Sequence, residues 1–190
     1  MRDVRRQFTG LGRGGLYPGP VTTTPVHPLL AALAQRVLVA DGAMGTMLQA
    51  QDPSMDDFAG LEGCNEILNV TRPDIVRAVH RAYLEVGVDL VETNTFGANL
   101  ANLAEYDIAD RIHELSLAGA ALARAEADEF STATQPRFVL GSVGPGTKLP
   151  TLGHAPYVAL RDAYAEQVSG MLEGGIDAVM VETCQDLLQT

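Results

Sequence analysis

The sequence predicts an α/β fold, a (β/α)8 barrel of the TIM type, of which these 190 residues supply about the first four βα units. Three observations predict it. The stretches Leu84-Glu-Val-Gly-Val-Asp-Leu-Val-Glu-Thr93 and Leu172-Glu-Gly-Gly-Ile-Asp-Ala-Val-Met-Val-Glu-Thr183 repeat one pattern: helix end, Gly turn, Asp, short apolar strand, carboxylate. Strand patterns alternate with helical ones, the rhythm of a parallel sheet with right-handed crossovers. Each strand then runs into a polar or Gly-rich loop, and barrels collect function at strand C-termini. A doubly wound nucleotide-binding sheet is disfavoured, because neither glycine loop has the G-x-G-x-x-G spacing between strand and helix.

The elements follow in order. Residues 1–27 read as a disordered Gly/Pro-rich leader, and the pair Arg5-Arg6 has no apolar segment behind it that would make a targeting signal. The domain then occupies residues 28–190, the N-terminal half of the barrel. Pro28 to Arg36 is a short helix with Pro in its tolerated first turn, and Val37 to Ala40 is the first strand. Asp41-Gly-Ala-Met-Gly-Thr46 breaks that strand, its two glycines permitting a tight turn and close backbone approach to a ligand. Residues 47–70 are an acidic, irregular excursion. Thr71-Arg-Pro-Asp74 has capping-box spacing, with Asp in the place of Glu, ahead of a helix from about Pro73 to Val86.

Gly87 stops that helix and Asp89 to Glu92 is the second strand, followed by the loop Thr93-Asn-Thr-Phe-Gly97. Ala98 to Glu129 reads as one Ala-rich helix. Phe138 to Gly141 is the third strand, Ser142-Val-Gly-Pro-Gly-Thr147 its loop, and Tyr157 to Met171 the next helix. Gly174-Gly175 ends it, Ala178 to Val181 is the fourth strand, and Asp186 to Thr190 opens a further helix.

Composition sets bounds on function. At 46% hydrophobic residues the chain can bury a core, and no apolar run approaches a membrane span. The net charge is −11, yet five of the 13 basic residues (Arg2, Arg5, Arg6, Arg13 and Arg36) lie in the first 36, so the remainder is more acidic still. Such a surface repels phosphate backbones and anionic lipid, which argues against nucleic-acid and membrane partners. Two cysteines, Cys64 and Cys184, are too few for a disulfide framework, and no signal peptide precedes them; a cytoplasmic setting follows.

On a barrel the loops converge on one mouth: Asp41, Gly42 and Ala43; Glu92 to Phe96; Ser142 to Gly146; and Glu182. That mouth holds three carboxylates, several hydroxyls and glycine amides, with Lys148 the only cation, at the rim. Carboxylates hold an amine and turn amides hold a carboxylate, a combination suited to the zwitterionic head of an amino acid. Each group has a plain structural alternative: Asp41 as a helix cap, Glu92 and Glu182 as ion-pair partners between barrel layers, Ser142-Val-Gly-Pro-Gly as a mere turn. His80 and His113 lie within helices as ordinary core or surface residues, while His154 sits in a loop that could reach the mouth. Cys184 reads as a small buried residue, and two cysteines without nearby His cannot close a thiolate metal site.

Asp41-Gly-Ala-Met-Gly-Thr-Met-Leu-Gln49, Glu62-Gly-Cys-Asn-Glu-Ile-Leu-Asn69, Thr71-Arg-Pro-Asp74, Glu92-Thr-Asn-Thr-Phe-Gly-Ala-Asn99 and Gly141-Ser-Val-Gly-Pro145 resemble the N-terminal homocysteine-binding domain of the cobalamin-dependent methionine synthases. The resemblance spans about residues 36–190. It implies a domain in which zinc binds the homocysteine thiolate, which takes the methyl group of methylcobalamin, supplied in turn by methyltetrahydrofolate, to give methionine. It implies that Asp41, Gly42, Ala43, Thr93, Asn94, Thr95, Ser142 and Glu182 surround the amino-acid head, with Glu182 on the amine. It also implies folate and cobalamin modules as partners. The family's zinc cysteines, in Gly-x-Asn-Cys and Gly-Gly-Cys-Cys-Gly stretches, have no match before Thr190, so neither a metal ligand nor a catalytic residue is expected within this chain, which reads as an inactive fragment. The competing expectations are a stand-alone homocysteine methyltransferase with a sulfonium or betaine donor, and a non-catalytic half-barrel.

Overall fold

A computed structural model describes residues 26–190; residues 1–25 of the expected leader lie outside the described residues. Helix α1 (Pro28–Leu33) starts at His27, whose Nδ1 accepts the Leu29 N–H at 3.3 Å. Then come α2 (Met44–Gln49), α3 (Leu68–Thr71), α4 (Pro73–Glu85), β1 (Leu90–Glu92), α5 (Leu100–Leu103), α6 (Ile112–Phe130), β2 (Phe138–Val143), α7 (Tyr157–Glu173) and β3 (Ala178–Val181). The strands form one parallel sheet in the order β1-β2-β3, with Leu90 opposite Phe138 and Leu140 opposite Ala178. The described residues are thus an α/β unit. Among them, no helix is long and apolar enough to cross a membrane.

Both sheet faces are covered. Val91 and Val139 pack outward against Leu84 of α4 and Ala123 and Ala127 of α6. Leu90, Phe138 and Leu140 point the other way, onto Leu29 of α1 and Leu38. The alternation of strand side chains sends the even-numbered β2 residues inward, a set that ends with Ser142.

The repeat seen in the sequence is a hydrogen-bonding device. Gly87 and Gly175, at φ +98° and +95°, turn the chain from helix to strand in a conformation that disfavours other residues. Two residues later an Asp reaches the preceding strand position in space. Asp89 Oδ2 accepts the Val39 N–H at 2.9 Å while its own N–H donates to Val39 O at 2.7 Å. Asp177 does the same with Val139, at 2.8 Å in each direction. Arg36 clamps Asp89 through two bonds of 2.8 and 2.7 Å, and Arg124 holds Asp177 at 2.9 Å.

Five expectations are corrected. The first strand, Val37 to Ala40, reduces to one parallel bridge between Ala40 and Leu90. The Asp89 and Leu90 N–H groups converge on Val39 O, and the Val39 N–H goes to the Asp89 carboxylate, so no regular ladder is left to form. The helix expected over 98–129 is broken into α5, two 3-10 turns and α6, with Asp107 between the turns at φ +57°; Asp is among the few residues that tolerate that region. Thr71 does not cap α4: it closes α3, donating its hydroxyl to Ile67 O at 3.1 Å, while Asp74 pairs with Arg72. Strand β2 runs two residues past Gly141. Residues 186–190 form a turn, because the Asp186 carboxylate accepts the Thr151 N–H and hydroxyl and the Leu188 N–H.

Two outcomes test this packing. Asp89→Ala in the intact protein strips the clasp and leaves Arg36 unpaired, lowering unfolding stability by about 2 kcal/mol; a urea midpoint shift worth less than about 0.5 kcal/mol would show the clasp to be incidental. His80 on α4 is fully buried, neither ring nitrogen has a partner among the described residues, and burial pushes its pKa down to about 4 from an ordinary 6.5. As pH falls the unfolded chain therefore takes up this proton first. The stability contribution is complete above about pH 6.5 and is lost toward pH 4, up to about 3 kcal/mol. His80→Leu should narrow the gap between urea midpoints at pH 7 and pH 5, and an unchanged gap would assign the acid sensitivity elsewhere.

Candidate functional site

At the C-terminal end of the strands lies a cleft of about 450 Å³. Asp41, Gly42, Ala43, Thr93, Asn94, Ser142 and Glu182 line it, together with Glu92. Thr95, the remaining expected site residue, is fully buried behind the wall. Among the described residues, no Lys, Arg or His lines the cleft. Lys148 instead pairs with Glu105 at 3.8 Å, and His154 Nδ1 accepts the Leu149 N–H at 3.3 Å, outside the cleft.

Each carboxylate is placed by a strand end. Asp41 accepts the Glu92 N–H through both oxygens, at 3.1 and 3.0 Å, continuing the pairing that its own N–H makes with Leu90 O at 3.0 Å. It caps no helix, since the residue at the start of α2 is Ala43. Burial pushes its pKa up to about 7; the Glu92 N–H opposes the shift, and the nearby Glu92 and Glu182 charges add to it. Glu92 is also raised, by burial first and then by Glu182. Ser142 Oγ donates to Glu182 Oε1 at 2.5 Å, fixing that carboxylate at the end of β3.

Asn94 is at the wall, but its side chain is committed elsewhere. Its amide donates to Asn65 O at 2.8 Å and Asn69 Oδ1 at 2.9 Å, while Asn69 donates to Asn94 O at 2.8 Å. Gly42 lies against Tyr83, whose hydroxyl donates to Ala43 O at 3.2 Å; a Cβ on Gly42 would sit 3.2 Å from the same hydroxyl.

Met44, Gly45, Asn65, Glu66 and Phe96 also line the cleft, of which only Phe96 fell within the expected mouth. Glu66 is the most consequential of those missed. It is buried, accepts the Gly97 N–H at 2.7 Å, and burial raises its pKa. An acid between Cys64 and the apolar pair Ile67-Leu68, on a turn of helical spacing, was the available signal.

The donor set does not fit zinc. Among the described residues no group of three or more His, Cys, Asp or Glu is placed to hold a metal. Burial, and then the Glu66 charge, push the Cys64 thiol up to about 11, the opposite of a metal-binding thiolate. Cys184 is half-buried, more open than its sequence context suggested.

Residues 38–190 match the family model described as homocysteine S-methyltransferase. The methionine synthases of Mycobacterium tuberculosis (strain ATCC 25618 / H37Rv) and Mycobacterium leprae (strain TN) are each 65% identical over 161 residues, or 85% of this chain. The chain spans only 14% and 13% of their lengths. The metallated form of the homocysteine methyltransferase MmuM from Escherichia coli superposes with a TM-score of 0.67 at 23% identity, over 85% of this chain and 59% of that one. Its apo form gives 0.62 at 24% identity, over 85% and 55%. These likenesses show an α/β fold similar to that of MmuM.

An acidic cleft without a cation binds a small primary ammonium ligand best when its carboxyls are ionised. Affinity should therefore rise with pH through about 7, with proton release on binding, and Asp41→Asn should flatten that dependence. Calorimetry in buffers of different ionisation enthalpy reads the released protons; equal release from wild type and Asp41→Asn would exonerate Asp41.

Proposed function

The chain belongs to the homocysteine S-methyltransferase family, and from that premise we propose that its cleft is the homocysteine-binding part of a methionine synthase. The carrying observation is a cleft, free of cationic side chains among the described residues, in which Glu182 is fixed by Ser142 beside Asp41 and Glu92. In this reading the substrate ammonium donates to Glu182, with Asp41 and Glu92 adding negative potential. The amides of the Asp41-Gly42-Ala43 turn receive the α-carboxylate. Thr93 and the Asn94 backbone complete the wall around the head. Held this way, the amino acid projects its sulfur out of the cleft. The overall change forms an S–CH3 bond to that sulfur as the thiol proton leaves and the donor gives up its methyl group.

Zinc, methylcobalamin and the folate and cobalamin modules belong to the proposed whole protein. None of their chemistry is assigned to the residues described here. The 65% identity to methionine synthases favours this reading over a stand-alone enzyme with a sulfonium or betaine donor, and over a non-catalytic half-barrel. A cytoplasmic setting accords with it.

We also propose that residues 28–190 are the first part of a (β/α)8 barrel. Both edges of the sheet support this. Val179 and Val181 on β3 are 39% and 47% exposed, and Val37 and Val39 at the other edge 85% and 55%. Unpaired apolar edges are an aggregation liability that flanking βα units would remove.

Glu182→Gln in the intact protein should weaken homocysteine binding by roughly 10- to 100-fold, as expected on removing one partner of a desolvated charge pair, and leave zinc content unchanged. Unchanged affinity would take Glu182 out of the site.

A further inference from the structure

Thr95 was expected to touch substrate, yet it is fully buried and off the cleft wall. Its surroundings give it a different task. Strand β2 runs to Val143, whereas β1 ends at Glu92, so Ser142 extends beyond its neighbour's last strand residue. The ladder's final regular bond on that side is the Thr93 N–H to Leu140 O, at 2.9 Å. In a parallel pair the Thr93 carbonyl would next accept the Ser142 N–H. It is turned away instead, accepting the Thr95 N–H at 2.9 Å.

Side-chain hydroxyls make up the loss. The Ser142 N–H donates to Thr93 Oγ1 at 3.0 Å, and Thr95 Oγ1 donates to Ser142 O at 2.8 Å. Thr93 Oγ1 and Thr95 Oγ1 are 2.6 Å apart. A carbonyl only accepts, so the Thr95 proton goes to Ser142 O, and Thr93 must donate to Thr95. The bonds close a ring: Ser142 N–H to Thr93, Thr93 to Thr95, Thr95 to Ser142 C=O. Met171 Sδ, 3.3 Å from Thr95 Oγ1, is a weak competing acceptor that seals the ring from the α7 side. Gln167 of α7 donates to Thr95 O at 2.8 Å and locks its backbone.

We propose that Thr95 is a positioning residue: through this ring it fixes the backbone of Ser142, whose hydroxyl orients Glu182 toward the substrate amine. The inference rests on the reading of the cleft as a homocysteine site. Thr93 faces the cleft and Thr95 does not, so the pair divides one task between wall and support. A valine at 95 keeps the shape of threonine, breaks the ring at both of its bonds, and leaves a buried carbonyl on Ser142 without its donor.

The test is homocysteine affinity by calorimetry, and KM against kcat for methionine formation, in the intact protein. Thr95→Val should raise Kd and KM about tenfold with a smaller change in kcat, and Thr95→Ser, which keeps the hydroxyl, should restore most of the loss. In a Ser142→Ala background the effect of Thr95→Val should largely vanish, because the two act in series. Met171→Leu touches the same cluster without breaking the ring and should leave affinity unchanged; Thr95→Ala reads the same loss where valine folds poorly. Lower melting temperature at unchanged affinity, or Thr95 and Ser142 effects that simply add, would overturn the inference. A silent Thr95 with a still-sensitive Glu182→Gln would overturn it alone, whereas wild-type protein that fails to take homocysteine would overturn the site reading as well.

Discussion

The constraint on which the rest depends is the demand of strand-end amides for acceptors in a sheet whose parallel strands differ in length. A buried N–H without a partner costs on the order of a kcal/mol or more. Where regular pairing stops, side chains take over. At the N-terminal end of the strands Asp89 and Asp177 accept the Val39 and Val139 amides. At the C-terminal end Asp41 accepts the Glu92 amide, and Thr93 accepts that of Ser142. The two ends of the sheet use one physical solution, and the C-terminal end opens onto the cleft.

That difference follows from how the carboxylates are compensated. Asp89 meets Arg36 and Arg137, and the Arg36 guanidinium above all holds its carboxyl below the usual range. Asp177 meets Arg124. These are closed ion pairs, so that end is scaffold. At the other end Asp41 and Glu92 have no cation among the described residues, and burial drives both upward. The contrast between a compensated and an uncompensated carboxylate, arising from one strand-ending device, separates scaffold from site more sharply than position alone.

Much of the fold was legible because its signals are local. Helix α4 and strand β3 stand where their apolar periodicity put them, and Gly87 and Gly175 mark the turns their φ values require. The first strand failed because its backbone bonds are diverted to one carbonyl and the Asp89 carboxylate, a competition between residues 50 apart that no local pattern carries. The long helix failed at Asp107, where a left-handed residue ended a helix that composition alone would have continued. In the site, groups on strand ends were legible from the alternation of strand and loop. Glu66 was not, because the irregular segment that carries it crosses the mouth only through tertiary packing. Thr95 was expected at the mouth and is buried behind it, because its hydroxyl turns with that of Thr93 onto the Ser142 backbone once the Thr93 carbonyl leaves the β2 ladder.

Uncompensated burial has a physical consequence for how such a cleft exists at all. Four acidic residues, Asp41, Glu66, Glu92 and Glu182, line one cleft. Ionising all of them without a counter-ion would incur both desolvation and mutual repulsion. The structure relieves this unevenly. Glu66 gains the Gly97 amide, Asp41 the Glu92 amide and Glu182 the Ser142 hydroxyl, while the Glu92 carboxylate accepts no hydrogen bond from the described residues. Asp41, with a pKa near neutrality, is the group through which the cleft can hold a proton in place of a cation. Glu182 is held by a neutral hydroxyl rather than by a cation, which in the proposed reading leaves it free to accept from an ammonium. A lysine or arginine in the wall would relieve the same strain, but in the proposed reading it would stand where the ligand's ammonium belongs.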